Sequence, residues 1–202
     1  MTDLEHDATY FLELQTKTGW GRTLAKFAEW CAIPAGSVAL DVGSGPGLLA
    51  KLLAESGVRA YGVDVDAGMI AQRLHAGMIH ADTLRLPFGD GTADYALASN
   101  VLYLMTEPQP ALNEMARAAK RVALLNPSEL MTMQAATELA DAAGLEGLAR
   151  DTMLNYAGRA ERLARWDEDD LRRMLAAAGM ALERTALTVG SGLVRLAMGV
   201  RE

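Results

Sequence analysis

Five short β-rich apolar runs are strung between Ser37 and Ser128: "SVALDV", "VRAYGVDV", "GMIHAD", "DYALASNVLYLM" and "RVALLNPS". Helix-spaced stretches fall between them, "GLLAKLLAESG", "AGMIAQRLH" and "PALNEMARAAK", the last with Leu112, Met115, Ala116 and Ala119 on one face. Strands joined through helices of this size need crossovers, and crossovers give a parallel sheet covered on both faces. A run as continuously apolar as "VALLN" suits a strand buried on both sides. Upstream, "RTLAKFAEWCAI" sets Leu24, Phe27, Ala28 and Cys31 on one helical face, and Pro34 with Gly36 stops it. Past Pro127 the rhythm breaks, and residues 129–165 read as helical without a strand. Asp167 then caps "DEDDLRRMLAAAG", whose Leu171, Met174, Leu175 and Ala178 point inward and whose Gly179 ends it. "ALERTALTV" and "GLVRLAMGV", joined across "GSG", close the chain as an antiparallel hairpin.

At 202 residues, half of them apolar, one well-buried domain is expected. No repeat or Ser/Gly/Pro-rich linker divides it, so it reads as a single domain over 1–202. Its parts are an N-terminal helical segment (1–33), a core (37–127), a helical insertion or lid (128–166) and a terminal helix with hairpin (167–202). A net charge of −7 argues against nucleic acid or an anionic membrane as partner. The single cysteine, Cys31, cannot form an internal disulfide, and the start "MTDLEHDATY" is not of signal-peptide type. With no apolar run of membrane-spanning length, a cytoplasmic protein is expected, its oligomeric state open.

The chemistry concentrates in "LDVGSGPGLLA", Leu40 to Ala50. A helix that starts right after a strand aims bare N–H groups at whatever lies over the strand end, and Gly43 and Gly45 let it come close. Dinucleotide enzymes hold a pyrophosphate this way, with an acid after the second strand on a ribose. Asp64 in "YGVDVD" supplies that second acid, but Asp41 stands where a pyrophosphate would not want one. Like charges a few ångströms apart cost about 4 kcal/mol at an effective dielectric of 20. A nucleoside with a cationic amino-acid end is attracted instead, and S-adenosylmethionine fits that description.

Together "DVGSGPG", "GVDVDAGMI", "ADTLRLPF" and "DYALASNVLYLM" resemble the class I S-adenosylmethionine-dependent methyltransferases of the small type-11-like group, over roughly residues 37–127. The resemblance implies an α/β, Rossmann-like seven-stranded mostly parallel sheet with helices on both faces, an antiparallel terminal hairpin and a helical insertion after the fifth strand. It implies S-adenosylmethionine as cofactor, S-adenosylhomocysteine as product and a small-molecule acceptor. By the same resemblance Asp41, with the backbone of Gly43, Ser44 and Gly45, holds the donor's methionine portion. Asp64 takes the ribose hydroxyls, Val65 and Met69 line the adenine, Asp82 accepts from its 6-amino group and the Thr83 backbone meets a ring nitrogen. Asn100, leaving the fourth strand, lies near the sulfonium.

Acceptor residues are expected from two variable places. "YFLELQTKTGWGR" carries Tyr10, Phe11, Gln15, Lys17 and Trp20, either a flap over the donor or a helix docked through its aromatics. The insertion offers Asn155 and Tyr156, and Tyr103 follows the fourth strand. Met131, Met133 and Met153 suit an adaptable apolar pocket or plain core, while Arg159 and Arg162 read as a solvated helix face rather than as contacts to an anionic substrate. None of His6, His75 and His80 ties to an active site, "NPS" at Asn126–Ser128 is not the amino-methyltransferase motif, and no catalytic base or metal ligand set is evident. Two other readings remain at this point: a non-catalytic donor- or partner-binding module, and an NAD(P)-dependent oxidoreductase.

Overall fold

Strand β1 (Val38–Val42) is buried on both faces, Ala39 against one core layer and Leu40 against the other. It pairs in parallel with β2 (Arg59–Asp64) on one side and β4 (Ala93–Ser99) on the other. β3 (Met78–His80) extends the β2 edge in parallel, and β5 (Ala119–Pro127) extends β4. β6 (Met180–Thr188) and β7 (Val194–Arg201) form the terminal hairpin, and β7 inserts antiparallel between β5 and β6. The computed structural model, which describes residues 7–201, thus has one seven-stranded sheet in the order β3-β2-β1-β4-β5-β7-β6. This is the expected mostly parallel Rossmann-like sheet with a reversed last strand.

Helices cover both faces because each has one apolar side. On one face α2 (Gly19–Cys31) brings Leu24, Phe27 and Cys31, and α3 (Leu48–Glu55) brings Leu49, Ala50 and Leu53. Burial pushes the Cys31 thiol up to about 12, which leaves it an inert core residue. The two helices after β5, α6 (Met133–Ala142) and α7 (Gly147–Arg162), add Ala136, Tyr156, Ala157 and Ala160 to the same layer. On the opposite face lie α5 (Gln109–Ala118), through Leu112 and Met115, and α8 (Glu168–Ala177), through Leu171 and Leu175. α8 starts with a reciprocal cap in which the Asp167 carboxylate accepts from the Asp170 N–H and Asp170 from that of Asp167.

Before the sheet, α1 (Ala8–Lys17) is capped by Asp7 and joined to α2 through Thr18, whose hydroxyl accepts from the Trp20 N–H. α1 docks with Leu14 and Gln15 buried. His6 lies outside the described residues. The short helix α4 (Ala67–Ala71) is a correction: the spacing predicts it to His75, yet it stops four residues earlier. Leu74 N–H leaves the helical ladder for the Pro46 carbonyl at 2.7 Å, and His75 Nε2 sits 2.9 Å from the Ala60 carbonyl. His80 ends β3 with Nε2 2.8 Å from the Val65 carbonyl, so both histidines serve backbone oxygens.

Candidate active site

A cavity of about 270 Å³ opens at the C-terminal ends of β1, β2 and β4, roofed by residues of α1 and α7. This is where a doubly wound sheet places its crevice, between strands whose connections depart in opposite directions. Gly43, Gly45, Asp64, Val65, Met69, Thr83 and Asn100 line it, as do Trp20, Tyr103 and Tyr156. Asp41, Ser44, Asp82 and Asn155 do not reach its wall.

The glycine turn runs from β1 into α3. Gly43 has φ +69°, and a Cβ there would lie 2.3 Å from Val101 Cγ2, so neither its backbone nor its surroundings admit a side chain. Three N–H groups of the turn and the first turn of α3 are already taken. Gly45 N–H donates to Asp64 Oδ2 at 2.7 Å, Leu48 N–H to Gln15 Oε1 at 3.2 Å and Ala50 N–H to Asp41 Oδ2 at 3.2 Å. A pyrophosphate would have to displace two carboxylates and an amide to reach them.

Asp41 is therefore corrected in position. It is not at the mouth of the turn but beneath it, 1% exposed, gripping the Ser44 hydroxyl at 2.6 Å and the start of α3. Burial pushes its carboxyl up to about 7, against the downward pull of those two donors, and neighbouring Asp64 adds to the rise. Its Oδ1 has no partner. Ser44, 3% exposed, is likewise buried with Asp41 rather than presented to the cavity. Of the two strand acids Asp41 and Asp64, the one that lines the cavity is Asp64, raised above the usual carboxylate range chiefly by burial and held down by the N–H groups of Asp66 and Gly45.

Beyond Asp64, Val65 is 64% exposed on the rim and Met69 is buried, so the two give one open and one closed apolar contact. Thr83 is buried on the wall. Asp82 is exposed, and its Oδ1 accepts from Leu84 N–H at 2.9 Å, closing the turn that carries Thr83. That local bond is what keeps its side chain off the wall.

At the other end the chain leaves β4 through Asn100, held at φ +58° with its N–H on the Leu125 carbonyl at 2.7 Å. Its Oδ1 accepts from the Tyr156 hydroxyl at 2.7 Å, while its Nδ2 is buried without a partner. Burial holds the Tyr156 phenol well above its ordinary value, so it stays protonated and donates. Tyr156 is the hub of an aromatic cluster: Tyr103 meets it edge-on at 5.7 Å between centroids, and Trp20 lies 5.7 Å away at 60°.

The insertion contributes a different face of α7 from the one named by residue type. Thr152, Tyr156 and Arg159, spaced four and three apart, line the cavity, whereas Asn155 is exposed and points away. Arg159 is thus a second correction, since only Arg162 lies on an exposed face. Thr152 and Leu14 are new to the site, while Phe11 and Gln15, named in the N-terminal stretch, line it from α1. The fixed rotation of α7 about Tyr156 was the signal that could have found Thr152 and Arg159. Met131 is core at 0% exposed, Met133 is exposed, and Met153 borders a second cavity of about 250 Å³ behind the Trp20–Thr152–Tyr156 wall.

With this geometry in place, comparison with known proteins is direct. A family model described as "Methyltransferase domain" matches residues 40–126, which bears out the resemblance drawn from the motifs. An uncharacterized methyltransferase of Mycobacterium leprae is 38% identical over 95 residues, 44% of this chain and 35% of that protein. The match therefore spans about a third of the relative's length. Magnesium protoporphyrin IX methyltransferase of Synechocystis, solved with bound S-adenosylhomocysteine, superposes with a TM-score of 0.67 at 22% identity, covering 95% of this chain and 87% of that one. A SAM-dependent methyltransferase of Aquifex aeolicus gives 0.65 at 18%, covering 97% and 99%. At these identities the two structures show the common fold. Among the described residues no helix is long and apolar enough to cross a membrane.

Proposed function

We propose that this chain, whose residues 40–126 match the methyltransferase domain, binds S-adenosylmethionine and directs its methyl group to a small acceptor by in-line displacement. The observation that carries the reading is the filled glycine turn, whose N–H groups at Gly45, Leu48 and Ala50 are held by Asp64, Gln15 and Asp41. A phosphate would have to displace two carboxylates and an amide there, while a nucleoside with a cationic tail meets an acid-rich wall and glycines that leave room for it. The fit is good at each end: Asp64 presents a carboxylate for two hydroxyls, Met69 and Val65 an apolar contact for a base, and Gly43 bare backbone.

The donor supplies a sulfonium, whose departing thioether makes displacement feasible without a metal or covalent intermediate. The chain's own residues have three tasks. Asp64 and Thr83 fix the nucleoside, and Asn100 with the Tyr103–Tyr156 pair sets the floor against which an acceptor is aligned. α1 and α7 cover the cavity, so their closure excludes water, which is the lid role proposed for 128–166. No described histidine lines this cavity, so an acceptor that is already a nucleophile at neutral pH suits it best. Cys31, unpaired and buried, is compatible with a reducing compartment, and the cytoplasm is the location this reading takes.

Asp64→Ala tests it. Binding of S-adenosylhomocysteine, measured calorimetrically, should weaken by about 1.5–3 kcal/mol, the worth of hydrogen bonds to a charged group. Asp64→Asn, which keeps the shape of the side chain, should recover part of that loss. An Asp64→Ala protein with wild-type affinity would remove the carboxylate from the ribose and with it this orientation of the ligand.

A further inference from the structure

We propose that the acceptor carries one carboxylate on a small apolar body, and that Arg159, Thr152 and Asn100 are its recognition site. The inference rests on the methyl-transfer reading and deepens it. Six buried side-chain polar atoms among the described residues have no hydrogen-bond partner, and three of them belong to residues that line this one cavity: Asn100 Nδ2, Thr152 Oγ1 and Arg159 Nε. Orphaned polar atoms are scarce in folded proteins and costly where they occur. Three converging on one space point to a ligand that satisfies them.

Their chemistry selects the ligand. Asn100 Oδ1 is already occupied by the Tyr156 hydroxyl, so only its amide N–H₂ is left to offer. Arg159 has donors alone, and its buried Nε calls for an acceptor. Among the described residues it forms no ion pair, and the wall's Asp64 holds the N–H groups of Gly45 and Asp66 instead. Asp64 ends β2 and Asn100 leaves β4, two strands apart in the sheet, on the order of 10 Å. A set of donors beside a guanidinium is what a carboxylate requires.

Charge and shape narrow it further. Among the described residues Arg159 is the cavity's single cation, beside Asp64 and Asp66, so it can offset one negative charge and leaves the second charge of a phosphate dianion uncompensated. The same cavity is lined by Trp20, Tyr103, Leu104 and Met105, which receive an apolar body. Thr152 also borders the second cavity, whose Leu139, Leu145 and Met153 extend that apolar surface away from the glycine turn. Arg159 therefore faces the side on which a second molecule arrives.

The test uses the full chain loaded with S-adenosylhomocysteine, titrated with benzoate, phenylacetate and 3-phenylpropanoate and with the corresponding neutral amides. At least one acid should bind roughly tenfold or more tighter than its amide. Arg159→Met should bring that acid to the amide's level, Arg159→Lys should retain part of the preference, and Thr152→Val should weaken the acid without touching the amide. S-adenosylhomocysteine affinity should be the same in all of these proteins, which also reports that they are folded. Amides bound as tightly as acids, or no acid bound at all, would overturn the inference. So would an Arg159→Met protein that loses S-adenosylhomocysteine, because the guanidinium would then belong to the donor's own carboxylate. Failure of the wild-type chain to take S-adenosylhomocysteine is a separate outcome that removes the methyl-transfer reading and this inference with it.

Discussion

Gly43→Ala should fold less stably by about 2–4 kcal/mol and lose most of its affinity for S-adenosylhomocysteine. Two costs combine. The residue sits at φ +69°, where a Cβ is unfavourable, and that Cβ would lie 2.3 Å from Val101 Cγ2 and 2.7 Å from Cγ1. Val101 lines the cavity just past Asn100, so the steric part is relieved by pushing it into the space the ligand needs. The double substitution Gly43→Ala with Val101→Ala removes the obstructing methyls and should recover the steric share of both losses, leaving the backbone share, about 1 kcal/mol. Urea unfolding and calorimetry on the four proteins of the cycle measure it. Additive effects of the two substitutions would show that the turn and Val101 do not meet as described.

The second large effect is on pH dependence. Asp41 is pushed up to about 7 in the folded protein from an ordinary value of 3.8, because burial outweighs its bonds to Ser44 and Ala50. The folded chain thus holds a proton that the unfolded chain has released. Stability contributed by that proton is full below about pH 4, declines as pH rises and is gone above about pH 7, in total on the order of 4 kcal/mol. Asp41→Asn cannot titrate, so its stability curve should lack this decline, and the difference between the two proteins isolates Asp41 from the other carboxylates. Unfolding at several pH values between 4 and 8 reads it directly. Parallel curves for the two proteins would mean that Asp41 is ionised and solvated like an ordinary acid.

These two residues also show what a sequence can and cannot disclose. Period and punctuation revealed the layers: Asp167 as a cap, Gly179 as a stop, and the reversed hairpin after "GSG" are local signals with local causes. Gly43 and Asp64 were legible for the same reason, since each is fixed by its place at a strand end. Asp41 was legible as an acid but not as a buried one, because its burial depends on Ser44 folding back three residues and α3 closing over it. Gln15 was noticed as an early amide, yet its role comes from Leu48, 33 positions away, and no local pattern carries that distance. On α7, choosing residues by hydrogen-bonding type favoured Asn155, while the helix's rotation favours Thr152 and Arg159 beside Tyr156. Rotation is set by which face meets the sheet, and Ala157 and Ala160 on the buried side are too small to announce it.

The central claim is that the glycine turn is closed to phosphate by Asp64, Gln15 and Asp41 and open to a nucleoside without one. It is tested most directly by titrating one preparation of the full chain, in parallel, with S-adenosylhomocysteine and with NAD. Saturable one-to-one binding of S-adenosylhomocysteine, with no heat from NAD at the same concentrations, is the predicted result. Tight NAD binding with no response to S-adenosylhomocysteine would contradict it.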